Sequence, residues 1–306
     1  GCNDGTLLQN YKELPIRSVG FDPAKNMVQF SKQTGAAIIT EFFSAEEFIK
    51  NYGSEKAKII TSIAMFYDLE DPNKFVDDIS KILHPDGIWI LELSYLPLML
   101  SQNAFDTIVH EHLEYYHLDA LEFLLSKFNL KVVDIQLNDI NGGSFRVVVQ
   151  HKEKSIDNKS LQHITELREK EKNLNLSTNQ PFNDFIIKIN AEKDKLVTFI
   201  KTEVSAGKTV HCYGASTKGN TLLQFYNLDK KLIQFIADRN PDKWGRRTIG
   251  TDISIISEEE SHSMNPDYFL ILPWHFIKEF KEREKDYLKN GGKLLVPLPR
   301  FKVIDV

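Results

Sequence analysis

The chain has 306 residues, of which 42% are hydrophobic and 26% charged, and its formal net charge is -5. That balance describes a folded soluble protein long enough for two ordinary domains, with no basic field to recruit nucleic acid or an anionic membrane. No apolar run reaches the ~20 residues of a membrane span, and no signal-peptide pattern opens the chain. The two cysteines, Cys2 and Cys212, lie far apart without a metal spacing, which suits a reducing cytoplasm and implies neither a disulfide framework nor a zinc site.

Gly1-Cys2-Asn3-Asp4-Gly5-Thr6 opens the chain as a glycine-rich turn and leads into a short amphipathic helix through Leu7, Leu8 and Tyr11. Such turns normally follow a buried strand, and none precedes this one. Ser18–Phe21 reads as a strand ending in Asp22-Pro23, followed by a helix through Met27, Phe30 and Ser31. Ala36–Thr40 and Ile59–Met65 are two more strands, rich in β-branched residues. Asp71-Pro72 starts a helix through Phe75, Ile79 and Leu83, with proline where its missing N–H does no harm. His84-Pro85-Asp86-Gly87 reads as a turn before the strand Ile88–Leu93. This alternation predicts a parallel sheet with helices on its faces.

Ligands of such sheets bind beyond the carboxyl ends of the strands. A glycine-rich turn plus Asp22 after the next strand is shared by dinucleotide enzymes and S-adenosylmethionine enzymes. The dinucleotide form expects Gly-x-Gly-x-x-Gly, which Gly-Cys-Asn-Asp-Gly lacks. Asp4 repels phosphate but accepts from an amino-acid ammonium, and Asp22 suits ribose hydroxyls. S-adenosylmethionine is favoured.

Asn103–Leu118 concentrates three histidines (His110, His112, His117), three carboxylates and the pair Tyr115-Tyr116, with no clean helical or strand period. A core holds such a mixture only with a partner for every polar group. One reading is a structural loop whose histidines bond backbone. Another is a metal site at His110 and His112, for which no third and fourth ligand appear at a recognisable spacing. Acid–base chemistry is the leading reading.

Asp119 with Glu122 resembles a capping box for a helix through Phe123, Leu124 and Phe128. Lys131–Ile135 and Phe145–Gln150 are strands joined through the tight turn Asn141-Gly142-Gly143-Ser144, with Arg146 after it. Arg146 is either an exposed hairpin residue or an anion contact. Lys152–Asn175 is a charged, solvated helix or linker, and Pro181–Val204 a helix with an apolar stripe through Phe182, Phe185, Ile186, Ile189, Leu196, Phe199 and Ile200, stopped by Gly207.

Thr209–Tyr213 is a buried strand entering Gly214-Ala215-Ser216-Thr217-Lys218-Gly219-Asn220-Thr221 and a helix through Leu222, Leu223 and Phe225. The strand Leu232–Ala237 ends at Asp238; Tyr268–Leu272 and Lys293–Val296 are later strands with the helix Phe276–Leu288 between them. The strand–turn–helix aims backbone N–H groups at an anion, with Ser216, Thr217 and Lys218 adding donors. It is not a P-loop, because the glycine–lysine order is broken. A phosphate or diphosphate is the favoured ligand, against a purely structural turn. Asp238 keeps a nucleotide cofactor open.

Gly1–Thr6, His110-Glu111-His112, Asn141-Gly142-Gly143-Ser144-Phe145-Arg146, Gly214–Asn220 and Leu272-Pro273-Trp274-His275-Phe276, taken in this order, resemble the sugar C-methyltransferases that act at C-3 of nucleotide-linked 4-keto deoxysugars. The resemblance spans nearly the whole chain, and the order of the motifs makes it specific. It implies an α/β protein with two Rossmann-like domains. Residues 1–151 would be a class I S-adenosylmethionine-binding domain, 152–206 a helical linker, and 207–306 a Rossmann-like domain helping to hold the nucleotide sugar. A small zinc-binding domain normally precedes both. It is absent here together with the first strand of the sheet, so the residues read as an excerpt of a longer polypeptide, with zinc expected only in that upstream part.

The resemblance also implies site residues. His112 matches the family base, with Glu111 beside it to orient or polarise the site and His110 joining the site or fixing the loop. Cofactor contacts fall on Gly1, Asn3, Asp4, Gly5, Asp22, Pro23, Ala64 and Met65. Substrate contacts fall on Asn103, Tyr116, Gly143, Ser144, Arg146, Tyr213, Ser216, Thr217 and Lys218. The base removes a proton beside the ketone, donors hold the enolate oxygen, and carbon accepts the methyl group. Two positions depart from the family: Val109 stands for its tyrosine and Asp68 for its histidine, leaving Tyr67, Tyr115 or Tyr116 as replacement proton donors. A sugar O-methyltransferase, a nicotinamide-dependent oxidoreductase using Gly214–Gly219 and Asp238, and a non-catalytic nucleotide-sugar binder are the alternatives. The expected partner is a small nucleotide sugar, not nucleic acid or membrane, and the expected state a monomer or dimer.

Overall fold

The computed structural model describes residues 1–305; Val306 and the side chain of Asn141, in the expected Asn141–Ser144 turn, lie outside the described residues. The chain forms two compact units. The first comprises Gly1–Ser94, Leu113–Asn138 and Ser144–Glu171, and the second Tyr95–His112, Asp139–Gly143 and the chain from Lys172 onward. These units cut across the boundaries expected at 151 and 207. The stretch 95–112, which carries His110–His112, belongs to the second unit because Phe105 packs on Phe225 and Tyr226, with ring centroids 4.7 and 5.3 Å apart.

The first unit begins with α1 (Thr6–Gln9), β1 (Val19–Phe21), α2 (Val28–Ser31), β2 (Ala37–Ile39), α3 (Ala45–Tyr52), β3 (Ala57–Ile63), α4 (Pro72–Ile82) and β4 (Leu83–Ser94). The chain leaves it through α5 (Leu96–Ser101) and returns for α6 (Leu118–Ser126), β5 (Leu130–Asn138), β6 (Ser144–His151) and α7 (Asn158–Leu174). α3 was not expected, although its signal is local: the Ser44 side chain accepts from the Glu47 amide at 3.1 Å. α4 starts as expected, with the Asp71 carboxylate accepting from the Lys74 amide at 2.9 Å and Pro72 in the first turn.

Instead of one parallel sheet, this unit carries a parallel pair β1–β2 and a separate sheet in the order β3-β4-β6-β5, parallel only between β3 and β4. The expected turn at His84–Gly87 lies within β4. The ladder jumps from Ala57↔Leu83 to Ile59↔Ile88, so the four residues bulge out of register, and a Cβ on Gly87 would stand 2.9 Å from the Ala57 carbonyl. Phe66, Phe75, Trp89 and Tyr116 form an aromatic core, with Phe66 centroids 5.8 Å from Trp89 and 5.1 Å from Tyr116.

The expected capping box at α6 is absent. The N-cap is His117, and the first amides of the helix, Leu118 and Asp119, donate to the buried Glu171 carboxylate at 2.6 and 3.2 Å. Glu122 pairs instead with Arg168, whose Nε–H donates at 2.9 Å. A carboxylate 53 residues away displaced the local one because the Leu118 amide is buried and needs a buried acceptor.

In the second unit α8 (Gln180–Ser205) buries Phe185, Ile189, Leu196 and Ile200, four of the stripe residues, while Ile186 is exposed. Then follow β7 (Val210–Tyr213), α9 (Thr217–Tyr226), β8 (Phe235–Ala237), β9 (Ser254–Ile256), α10 (Glu258–Ser263), β10 (Tyr268–Ile271), α11 (Ile277–Arg283), α12 (Lys285–Lys289), β11 (Lys293–Val296) and β12 (Lys302–Ile304). β9 and β12, three residues each, were not among the expected strands. The six strands run in the order β12-β11-β10-β7-β8-β9, all parallel except β12. β7 and β10 are buried throughout, as both-face coverage of a parallel sheet requires. Among the described residues, no helix is long and apolar enough to cross a membrane.

Candidate active site

In the first unit the opening turn is tied to the end of β1. The Cys2 amide donates to the Phe21 carbonyl at 3.0 Å, and the Asn3 amide to Asp22 Oδ2 at 2.7 Å. Gly5 has φ +86°, and a Cβ there would lie 2.6 Å from Thr34 Cγ2 and 3.0 Å from Ser31 Cα, so no larger residue fits. Asp22 Oδ1 accepts from the Ala24 amide at 2.9 Å. Each carboxylate oxygen has more than one acceptor direction, so these bonds hold Asp22 in place and leave capacity for ribose hydroxyls. The Thr6 amide and hydroxyl each donate to Asp4 at 2.9 Å and hold its carboxyl below the usual range, which keeps the charge that an ammonium would seek. Pro23 and Ala64 are exposed, and Met65 is half-buried. Ala64 has φ +52° just beyond β3, its amide donating to the Glu92 carbonyl at 2.8 Å. Polar acceptors and an uncluttered backbone suit an adenosyl amino acid better than a pyrophosphate.

In the second unit the chain runs from β7 outward through β8 and β9, then crosses back to β10 and β11 on the other side. The crevice between the carboxyl ends of β7 and β10 is therefore the switch point where such sheets bind ligands. Two turns flank it: Gly214–Ser216 after β7 and Leu272–His275 after β10. They approach so closely that a Cβ on Gly214 would stand 2.9 Å from Pro273. Ser216 caps α9, its Oγ accepting from the Gly219 amide at 3.0 Å, and Asp238 holds the turn by accepting from the Ala215 amide at 2.8 Å and from Lys243 at 3.1 Å. Thr217 is exposed and Lys218 half-buried.

The stretch 103–112 belongs to this same unit. Asn103 takes φ +54° and donates to the Pro299 carbonyl at 2.8 Å. A 3-10 turn, Phe105–Thr107, follows. His112 is half-buried, and its Nδ1 lies 2.8 Å from the Thr107 carbonyl. A carbonyl only accepts, so Nδ1 carries the proton and Nε2 is the basic nitrogen. Burial lowers the His112 pKa, the Thr107 carbonyl opposes this, and the Lys218 ammonium lowers it further. These effects together favour the neutral ring. His110 and Glu111 differ: their side chains are 83% and 58% exposed, 3.9 Å apart, and turned to solvent.

Two residues that sequence reasoning passed over join this cluster. Asp106 is 1% exposed and accepts from Trp274 Nε1–H at 3.0 Å. Burial raises its pKa, while Lys218 and the Trp274 N–H hold it down. His275 is pushed down to about 4 by burial and then by Lys218, and so is neutral. The signal was available in part, since the tryptophan and histidine lie in one of the matching motifs, but the partner of Trp274 is 168 residues away.

The other expected contacts fall elsewhere. Arg146 donates to Glu92 from Nε at 2.7 Å, directly across the β4–β6 ladder, so its charge is already paired. Ser144 is buried in β6, and Gly143, at φ +118°, presents its carbonyl to the Tyr95 amide at 3.2 Å. Tyr116 is buried in the aromatic core of the first unit. Tyr213 is buried in β7, and its hydroxyl donates to Glu284 at 3.0 Å. Tyr67 is buried, its phenol pushed up to about 12 by burial and by Asp68, and its carbonyl accepts from the Leu113 and Glu114 amides. The described residues contain no cluster of three or more metal-ligating side chains.

Comparison with known proteins adds independent observations. A family model described as a C-methyltransferase C-terminal domain matches residues 139–299, and one for a methyltransferase domain matches residues 1–135. The C-methyltransferase NovU of Streptomyces niveus is 32% identical over 307 residues, covering 99% of this chain and 72% of NovU. Among solved structures, PKMT2 from Rickettsia typhi superposes with a TM-score of 0.43 at 14% identity, covering 52% of this chain and 49% of that one. LepI in complex with SAM gives 0.40 at 14% identity, covering 49% and 41%. The family matches and the 32% relative place the methyl acceptor at carbon: the chain belongs to the C-methyltransferase family and is an S-adenosylmethionine-dependent C-methyltransferase.

Proposed function

We propose that the acceptor is a nucleotide-linked 4-keto deoxysugar, methylated at C-3 through an enolate, with His112 as the base. The observation that carries this reading is the His112 Nδ1–H bond to the Thr107 carbonyl, which makes Nε2 basic in a ring that burial and Lys218 keep neutral. A C–H beside a ketone is acidic because the enolate spreads its charge onto oxygen. A neutral imidazole is strong enough to take that proton at neutral pH. S-adenosylmethionine supplies an electrophilic methyl group when bound, and the residues suited to hold it are Gly1, Asn3, Asp4, Gly5 and Asp22. The second unit, Rossmann-like in its strand order, would take the nucleotide sugar at the β7–β10 crevice, where Thr217 and Lys218 suit a diphosphate.

The test uses a nucleoside diphosphate-linked 4-keto-6-deoxyhexose in deuterated water. Without S-adenosylmethionine, deuterium should enter at the carbon beside the ketone; with it, the methyl group should appear on that carbon. A substrate methylated without any prior exchange or at oxygen would sink the enolate reading.

Two further results are expected. S-adenosylhomocysteine and thymidine diphosphate should each raise the unfolding midpoint, by about 2.7 kcal/mol of stabilisation at a hundred times the dissociation constant, and NADH should not. Stabilisation by NADH alone contradicts the proposal. The pH profile has a definite sign as well. Only neutral His112 is active and its pKa is lowered, so activity persists below the ordinary histidine value of about 6.5 and is lost as pH falls through the lowered one. An acid limb of kcat/KM above that value would count against His112.

A further inference from the structure

We infer that Asp106 is the positioning residue for the base: it clamps the 3-10 turn whose carbonyl orients His112 between the two strand ends that flank the crevice. The inference rests on the reading of His112 as base. Asp106 is followed directly by Thr107, the residue that accepts the His112 Nδ1–H at 2.8 Å. On the β10 side, Trp274 Nε1–H donates to Asp106 Oδ2 at 3.0 Å. On the β7 side, Asp106 interacts electrostatically with Lys218 in the first turn of α9. Phe105 packs against Phe225 and Tyr226 of the same helix, so the turn is held on three sides within one unit.

A buried carboxylate is a poor way to stabilise a fold, because desolvation offsets most of what its partners return. Here the group is 1% exposed and its Oδ1 has no hydrogen-bond partner among the described residues. What such a group does supply is direction. A buried carboxyl that accepts from one rigid indole anchors the 3-10 turn that carries it in a single position. The last residue of that turn, Thr107, carries the carbonyl that selects the tautomer of His112. Loss of the clamp lets the carbonyl turn, and the proton then distributes over both ring nitrogens. Asp106 touches neither substrate nor cofactor in this scheme; it acts through Thr107.

The experiment compares Asp106→Asn, Trp274→Phe and His112→Ala with the parent chain. Ring-nitrogen NMR of histidine-labelled protein reads the tautomer directly, the His112 signals being those lost in His112→Ala. In the parent chain His112 should be a single Nδ1–H tautomer. In Asp106→Asn it should become a mixture, with kcat for the 4-keto sugar down by about 10- to 100-fold as for a misplaced catalytic group, and stabilisation by S-adenosylhomocysteine unchanged. Trp274→Phe removes only the indole donor and should move both readouts the same way by less. It decides the matter if Asp106→Asn fails to fold. An unaltered tautomer with kcat within about twofold of the parent in the folded variants overturns the inference. Full turnover in His112→Ala would instead overturn the base assignment, a different outcome that the tautomer signal separates from the first.

Discussion

Replacing His112 by alanine is expected to lower methyl transfer by about 10²–10⁴-fold, the usual contribution of a positioned general base. Deuterium exchange at the carbon beside the ketone should fall in parallel, because the same group performs both steps. Binding of S-adenosylhomocysteine, read as a shift in unfolding midpoint, should be preserved, since the residues suited to the cofactor lie in the other unit. Added imidazole should restore part of the exchange if the ring alone is missing. His110→Ala is the contrast: that side chain is 83% exposed, and its removal should change little. Equal losses for the two variants, or unchanged exchange in His112→Ala, would show that the base is another group.

Glu171→Ala is expected to have the largest effect on stability. The carboxylate is 5% exposed and accepts from two amides of the first turn of α6, Leu118 and Asp119, with His117 Nδ1 at 3.2 Å. Removing it strands two helix donors with nothing local to replace their acceptor. The Leu118 amide is buried and the Asp119 amide only partly so; at the usual penalty for an unsatisfied buried donor this amounts to about 1–3 kcal/mol, a fall in midpoint of roughly 3–10 °C. Glu171→Gln keeps one acceptor oxygen and should lose less. Glu122→Ala breaks only a partly exposed pair with Arg168 and should cost about 1 kcal/mol or less. If Asp119→Ala proves more damaging than Glu171→Ala in thermal unfolding, the helix is capped locally after all.

These two variants mark what a linear reading reaches and what it does not. The stretch 103–118 stood out because its neighbourhood is chemically improbable, acids, imidazoles and phenols collected in a segment with no period, and within it the family resemblance singled out His112. The strands β1 to β4 and β7, β10 and β11 were legible from β-branched runs. The start of α4 was legible from Asp71-Pro72, where donor and acceptor are three residues apart. Glu171 was not legible as a cap, nor Asp106 as a clamp, because their partners lie 53 and 168 residues away.

The same distinction holds for the units. Composition placed a boundary at the charged stretch after residue 151, but stretch 95–112 is claimed by the second unit through Phe105 and Asp106, whose packing and hydrogen bonds have no sequence period. The family resemblance also implied substrate contacts for Arg146 and Tyr213. The fold pairs Arg146 with Glu92 across the β4–β6 ladder and bonds the Tyr213 hydroxyl to Glu284, partners no linear reading could supply. By itself the sequence determined the residue types, several local turns and caps, the alternating α/β pattern and the candidate stretch 103–118. The tertiary structure alone decided which buried charges meet, which tautomer His112 adopts and which unit holds it. Those properties depend on burial and on contacts between distant residues, and only folding brings such residues within hydrogen-bond reach.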